Sequence, residues 1–128
     1  MNHAQNQILV VRPGDRKAGP PTAGMERQQA FASAGLWAGF VRTEAWMASG
    51  WHHHGAYEIV VYVLAGGLRM EFGPRGSTAV EAGPGDFVVV PKGVVHRESN
   101  PSDDTADLVV VRAGRGESTF NVEDPARD

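Results

Sequence analysis

The sequence predicts an all-β domain, an antiparallel barrel or jelly roll with little helix. Short runs rich in Val, Ile, Phe and Tyr recur along the chain, and 16 glycines and 8 prolines punctuate them. Several runs alternate apolar and polar residues with a period of two. Together these are the marks of a sandwich or barrel of short strands. A length of 128 residues fits one domain, and 41% hydrophobic residues make a packed core feasible.

Composition also excludes several classes. There is no cysteine, so disulfides, thiolate zinc sites and cysteine nucleophiles are ruled out, and any metal must be held by nitrogen and oxygen. The net charge is -3, and the basic residues are scattered rather than clustered, which argues against nucleic acid. No apolar run reaches membrane-spanning length. A soluble cytoplasmic protein is the expectation.

Residues 1–7 are polar, and His3 among them reads as a solvated side chain. Ile8 to Arg12 reads as a first strand. Residues 13–24 are too rich in Pro and Gly for regular structure and read as a loop that crosses the domain or reaches a partner subunit. Met25 to Ala34 reads as a short turn or an edge strand. Leu36 to Met47 is a clearer strand. Phe40, Arg42, Glu44 and Trp46 share one face; Val41, Thr43, Ala45 and Met47 share the other. Core packing is the first reading of Trp37 and Trp46, with pocket lining as the alternative.

Gly50 then breaks the strand, and Trp51-His52-His53-His54-Gly55-Ala56-Tyr57-Glu58 follows. Side chains alternate along a strand, so His52 and His54 share a face and His53 faces away. Glu58 has the parity of His54 if no bulge intervenes. Tyr57 to Ala65 is apolar on both faces, which predicts burial on both, one in the barrel and one against a neighbouring sheet or subunit. Gly66-Gly67 is a turn. Leu68 to Phe72 is a half-buried strand with Leu68, Met70 and Phe72 on one face. Residues 73–77 form a hairpin loop, and Thr78 to Glu81 a short strand. Phe87 to Val90 reads as a short buried strand. Val94, His96 and Glu98 share a face, with Glu98 as a rim charge. Asp107 to Arg112 is another strand, and residues 113–122 add a last one. The tail from Glu123 is polar.

Two segments resemble the paired motifs of the cupin superfamily. The segment His52-x-His54-x3-Glu58 is similar to the first motif. Gly85-x5-Pro91-x-Gly93-x2-His96-x3-Asn100 matches the second at every fixed position. Two departures stand out. Trp46 takes the place of a glycine, and Gly66 follows Glu58 after seven residues where the family has six. The resemblance implies a double-stranded β-helix of the small single-domain, RmlC-like kind, with one divalent metal (Fe, Mn, Ni, Co or Zn) held by His52, His54, Glu58 and His96. On this reading residues 1–35 carry an N-terminal strand and a loop packing on the barrel or a partner subunit, 36–122 form the barrel, and 123–128 are a loose tail.

The function expected is that of a metal-dependent enzyme on a small organic molecule, of dioxygenase, isomerase or cyclase type. The metal would act as Lewis acid or dioxygen site, and Glu58 is the candidate base. The competing expectation is a non-enzymatic barrel that binds a metal or small ligand. Trp46, Tyr62, Met70 and Phe72 are candidate pocket-lining residues. The doubly apolar strand at 57–65 and the Pro-rich segment predict a homodimer.

Overall fold

The computed structural model describes residues 6–20 and 22–125; His3 lies outside them. The described residues fold almost entirely as β-structure, with eleven strands among them: β1 (Lys17–Ala18), β2 (Met25–Ala32), β3 (Leu36–Thr43), β4 (His52–His53), β5 (Glu58–Ala65), β6 (Leu68–Phe72), β7 (Thr78–Ala82), β8 (Phe87–Val90), β9 (His96–Ser99), β10 (Ala106–Ala113) and β11 (Phe120–Asn121). They form two antiparallel sheets. One has the order β1-β2-β3-β10-β5-β8, the other β11-β4-β9-β6-β7.

Alternation explains the core. Val41 on β3, Ile59, Val61 and Val63 on β5, and Leu108 on β10 all point inward from the first sheet. Leu68 and Met70 on β6 point inward from the second, and Val90 on β8 joins the same cluster. Fully burying each such side chain contributes roughly 1.5–3 kcal/mol. Val41 and Thr43 are buried, so theirs is the inner face of β3; the strand expected to run to Met47 ends at Thr43, where a turn over residues 44–47 follows.

Four expectations need correction. Ile8 to Arg12 forms no strand, and Ile8 is fully exposed. The six-stranded sheet ends at β1, and the ILVVR run pairs with no strand among the described residues. Met25–Ala32, expected as a short turn or an edge strand, is a full eight-residue strand that lies between β1 and β3. Strand β8 is not buried on both faces: Phe87 and Val89 are 69% and 61% exposed, because β8 is the last strand of its sheet. The outer face of β5 is also only partly covered; Tyr62 packs against Phe87 with ring centroids 4.7 Å apart, and Leu64 is exposed. No helix among the described residues is long and apolar enough to cross a membrane.

Asn100 fastens one end of the barrel. It is buried, its Nδ2 donates to the carbonyls of Glu44 (3.1 Å) and Asp104 (2.8 Å), and its Oδ1 accepts from Ser102 N and Oγ (3.2 and 3.0 Å). The asparagine that closes the second motif therefore ties two loops together rather than facing the interior.

Candidate metal centre

Three histidines meet inside the barrel. His52 and His96 are directly opposite each other on the antiparallel pair β4 and β9, the arrangement that brings cross-strand side chains into contact. Their ring centroids are 4.4 Å apart, and His54 lies 5.0 and 5.1 Å from them. One ring nitrogen from each lies within 4.8 Å of the other two. His52 and His96 are buried and His54 is half-buried.

The hydrogen bonds fix how the rings are turned. Nδ1 of His52 donates to Gly50 O (2.9 Å), Nδ1 of His54 to Ser118 O (2.7 Å), and Nδ1 of His96 to Val94 O (3.0 Å). A carbonyl only accepts, so each Nδ1 carries the proton and each Nε2 keeps its lone pair. Backbone anchoring of one ring nitrogen, leaving the other as ligand, is the usual support of a metal-binding histidine. Burial lowers the pKa of His54 to about 4 and also lowers that of His96, opposed in each case by the backbone hydrogen bond. Both imidazoles are therefore neutral near pH 7, the form that binds a metal.

His53 behaves differently. It faces outward and stacks on Phe120 at 4.9 Å, and its Nδ1 accepts from the Gly55 amide (3.0 Å). It helps close the turn and takes no part in the cluster.

Glu58 is not brought to the histidines. It is exposed on the outer face of β5, where its neighbour Ile59 points inward. The cause is local. After His54 the chain makes a turn, with Tyr57 N bonded to His54 O (3.0 Å) and Gly55 at φ 58°. That turn resets the alternation, and a one-residue slip exchanges the faces of a strand. The place expected for the carboxylate is filled by the apolar Ile59. The structure thus removes Glu58 both as neighbour of the three imidazoles and as a base facing the interior.

A different carboxylate is present. Glu98 shares β9 with His96, is mostly buried, and places Oε1 4.0 Å from Nε2 of His52. That is too long for a hydrogen bond and close enough for one ion to be shared. Glu98 is the one carboxylate among the described residues lining the central cavity.

The cavity has a volume of about 560 Å³, within the range of small-molecule sites. The three histidines and Glu98 occupy one side. Val41, Ile59, Val61, Met70, Val90 and Leu108 make the apolar walls. Thr22, Met25, Arg27, Trp37, Arg112 and Ser118 also belong to the lining. The segment ahead of β3 is therefore part of the cavity wall. Of the four candidate lining residues, Met70 lines the cavity. Trp46 is 67% exposed, Tyr62 lies on the outer face of β5, and Phe72 is outside the lining. Trp37 takes the pocket-lining place that is the alternative reading of its sequence, and Glu98, expected as a rim charge, lines the cavity as well; Arg27 and Arg112 carry no such signal in the sequence.

A cupin-domain family model matches residues 41–112, more than half of the chain. This protein belongs to the cupin family. The likeness extends to solved structures. The polyketide cyclase RemF of Streptomyces resistomycificus aligns over 91% of this chain and 86% of its own, at 20% identity and a TM-score of 0.74. KdgF of Halomonas sp. aligns over 85% and 96%, at 18% identity and a TM-score of 0.69. A sugar phosphate isomerase of the cupin superfamily from Silicibacter pomeroyi aligns over 78% and 66%, at 23% identity and a TM-score of 0.65. At these identities the likeness shows the fold. No curated protein matches the chain in sequence.

The family also makes sense of Trp46. It stands at the first-motif glycine position and has φ 62°, a left-handed conformation that is an outlier for a bulky residue. The backbone there keeps the shape that glycine would supply.

Proposed function

We propose that this cupin is a metal-dependent enzyme acting on a small organic molecule, of isomerase or cyclase type. The observation that carries the reading is the set of three imidazoles with Nδ1 anchored on carbonyls and one ring nitrogen of each within 4.8 Å of the others. Such a donor set fits one divalent ion of Fe, Mn, Ni, Co or Zn, held by His52, His54 and His96, with Glu98 within reach as an oxygen ligand. When bound, the ion supplies Lewis-acid polarisation of a substrate oxygen.

The chain's own residues supply the rest. The apolar walls exclude water and favour an apolar or aromatic substrate body. Glu98, partly desolvated beside His52, is positioned to take a proton from the carbon next to a carbonyl and return it elsewhere. The cyclase and isomerase among the structural neighbours support this class over dioxygenase chemistry.

The test uses a small β-diketone in heavy water, followed by NMR. Metal-loaded protein is expected to accelerate exchange of the α-hydrogen, and chelator treatment or Glu98→Gln to remove the acceleration. Equal exchange in all three samples would reject the enzymatic reading in favour of a barrel that only binds its ligand.

The exposed Phe87 and Val89 lie on β8, whose far edge is unpaired among the described residues. Edges of this kind are normally covered. They support association with a second copy as a homodimer, for which a monomeric mass in solution scattering would be decisive contrary evidence.

A further inference from the structure

Arg112, Trp37 and Ile59 lie side by side across the inner face of three strands, since Arg112 on β10 pairs with Trp37 on β3 and with Ile59 on β5. The guanidinium carbon sits 4.2 Å from the centroid of the Trp37 ring. That ring is itself fixed. Its Nε1 donates to Gln29 Oε1 (2.9 Å), and a Cβ at Gly39 would stand 2.5 Å from the indole, so only glycine lets the ring lie there. A planar cation stacked on an aromatic face has its edge donors held in one plane.

Those donors lack an acceptor that matches them. Arg112 Nε is buried without any hydrogen-bond partner, and Nη1 reaches only Ser118 Oγ, at 3.5 Å. Arg27, which also lines the cavity, donates to Thr22 Oγ1 and to the sulfur of Met25. Among the described residues neither arginine has a carboxylate ion-pair partner. Burial lowers the pKa of Arg112, and the nearby Arg27 lowers it further, with Tyr57 and Glu98 opposing. Two cations in one cavity, one with a dry unpaired donor, form a costly arrangement unless an anion joins them. Ser118 ties this place to the histidines: its carbonyl holds His54 and its hydroxyl faces Arg112.

We propose that Arg112, stacked on Trp37 and assisted by Arg27, binds the carboxylate of the substrate, so that the ligand is a small organic acid with an apolar body. Bidentate recognition of a carboxylate is what a fixed guanidinium fork does best, and the apolar walls accept the remainder. Inorganic phosphate would satisfy the same fork but not the walls. Glu98, on the side of the histidines, would repel a second acidic group, which favours a monoanion. As a statement about substrate this rests on the metal-enzyme reading; as a statement about binding it does not.

The test is calorimetric titration of the full chain with benzoate, as purified and after chelator treatment, beside benzamide and inorganic phosphate. Benzoate is expected to bind with one-to-one stoichiometry in both preparations. Benzamide and phosphate should bind about tenfold more weakly or not at all. Arg112→Gln is expected to weaken benzoate about 10- to 100-fold, and Arg112→Lys, which keeps the charge and loses the fork, by an intermediate factor. Arg27→Gln, at a side chain whose hydrogen bonds go only to nearby Thr22 and Met25, should fold even if the Arg112 variants do not, and should weaken benzoate severalfold. Absence of benzoate binding, equal binding of benzamide, or unchanged affinity in Arg27→Gln and every folded Arg112 variant would overturn the proposal. Tighter binding of phosphate than benzoate would also overturn it. Benzoate binding by protein that takes up no metal would keep the anion site and reject the metal reading. Metal uptake without benzoate binding would do the reverse.

Discussion

Truncating the two carboxylates Glu58 and Glu98 should affect metal affinity very differently. Glu58 is exposed on the outer face of β5, so Glu58→Ala is a surface change, expected to alter stability by no more than about 0.5 kcal/mol. It removes nothing from the cavity, so metal affinity should stay within about twofold. Glu98 carries its charge 4.0 Å from His52 Nε2. Removing a carboxylate that close to the metal-binding nitrogens is expected to lower metal affinity about 10- to 100-fold. The assay is competition of each variant against a chromophoric chelator for cobalt and zinc, at fixed pH and after circular dichroism has shown both to be folded. Weakening by Glu58→Ala with no change in Glu98→Ala would refute the reasoning. It would mean that the turn at Gly55 leaves Glu58 facing inward after all.

Three further outcomes follow from the geometry. Asn100→Ala loses four side-chain hydrogen bonds between two loops; at about 0.5–1 kcal/mol each the midpoint of thermal unfolding should fall by roughly 10 °C, while folded variant still binds metal. An unchanged midpoint would show that the loops are held by other means. Trp46→Gly relieves a left-handed φ on an exposed side chain, so stability should rise by about 1 kcal/mol, read as a midpoint a few degrees higher; a drop would show that the indole packs on something that matters. Chelated protein should lose stability as pH falls from about 6.5 towards 4. Burial lowers the pKa of His54 to about 4 and that of His96 in the same direction, whereas the unfolded chain takes up protons near 6.5. The unfolded state then binds more protons, so stability falls with pH by at most about 1.4 kcal/mol per unit for each histidine, less for half-buried His54 because solvent screens it. Thermal midpoints that stay flat from pH 7.5 to 5 would contradict this.

Much of the barrel is legible in the sequence because alternation is a local property. Val41 and Thr43 share the inner face of β3 by parity, and Leu68 and Met70 share that of β6. The histidines are legible for the same reason, with His96 fixed by its motif. Parity fails where the chain turns. Gly55 and Ala56 reset the count, and the interval of seven residues from Glu58 to Gly66, where the family has six, is the trace of that slip in the sequence. Burial of β8 was misjudged because an apolar run does not tell whether a further strand covers it. Arg112 was unreadable as a cavity residue, since its significance lies in the strands beside it, and pairing across 75 residues to Trp37 is not a local signal.

The central claim is that His52, His54 and His96 hold one metal ion, and metal content tests it most directly. Protein purified without a histidine tag, analysed by mass spectrometry of the metals beside His96→Ala, should contain or take up close to one equivalent of Fe, Mn, Ni, Co or Zn. The His96→Ala variant, folded by circular dichroism, should lose it. Equal metal in both proteins, or none in either after reconstitution, would contradict the account and leave a metal-free cavity as the working site.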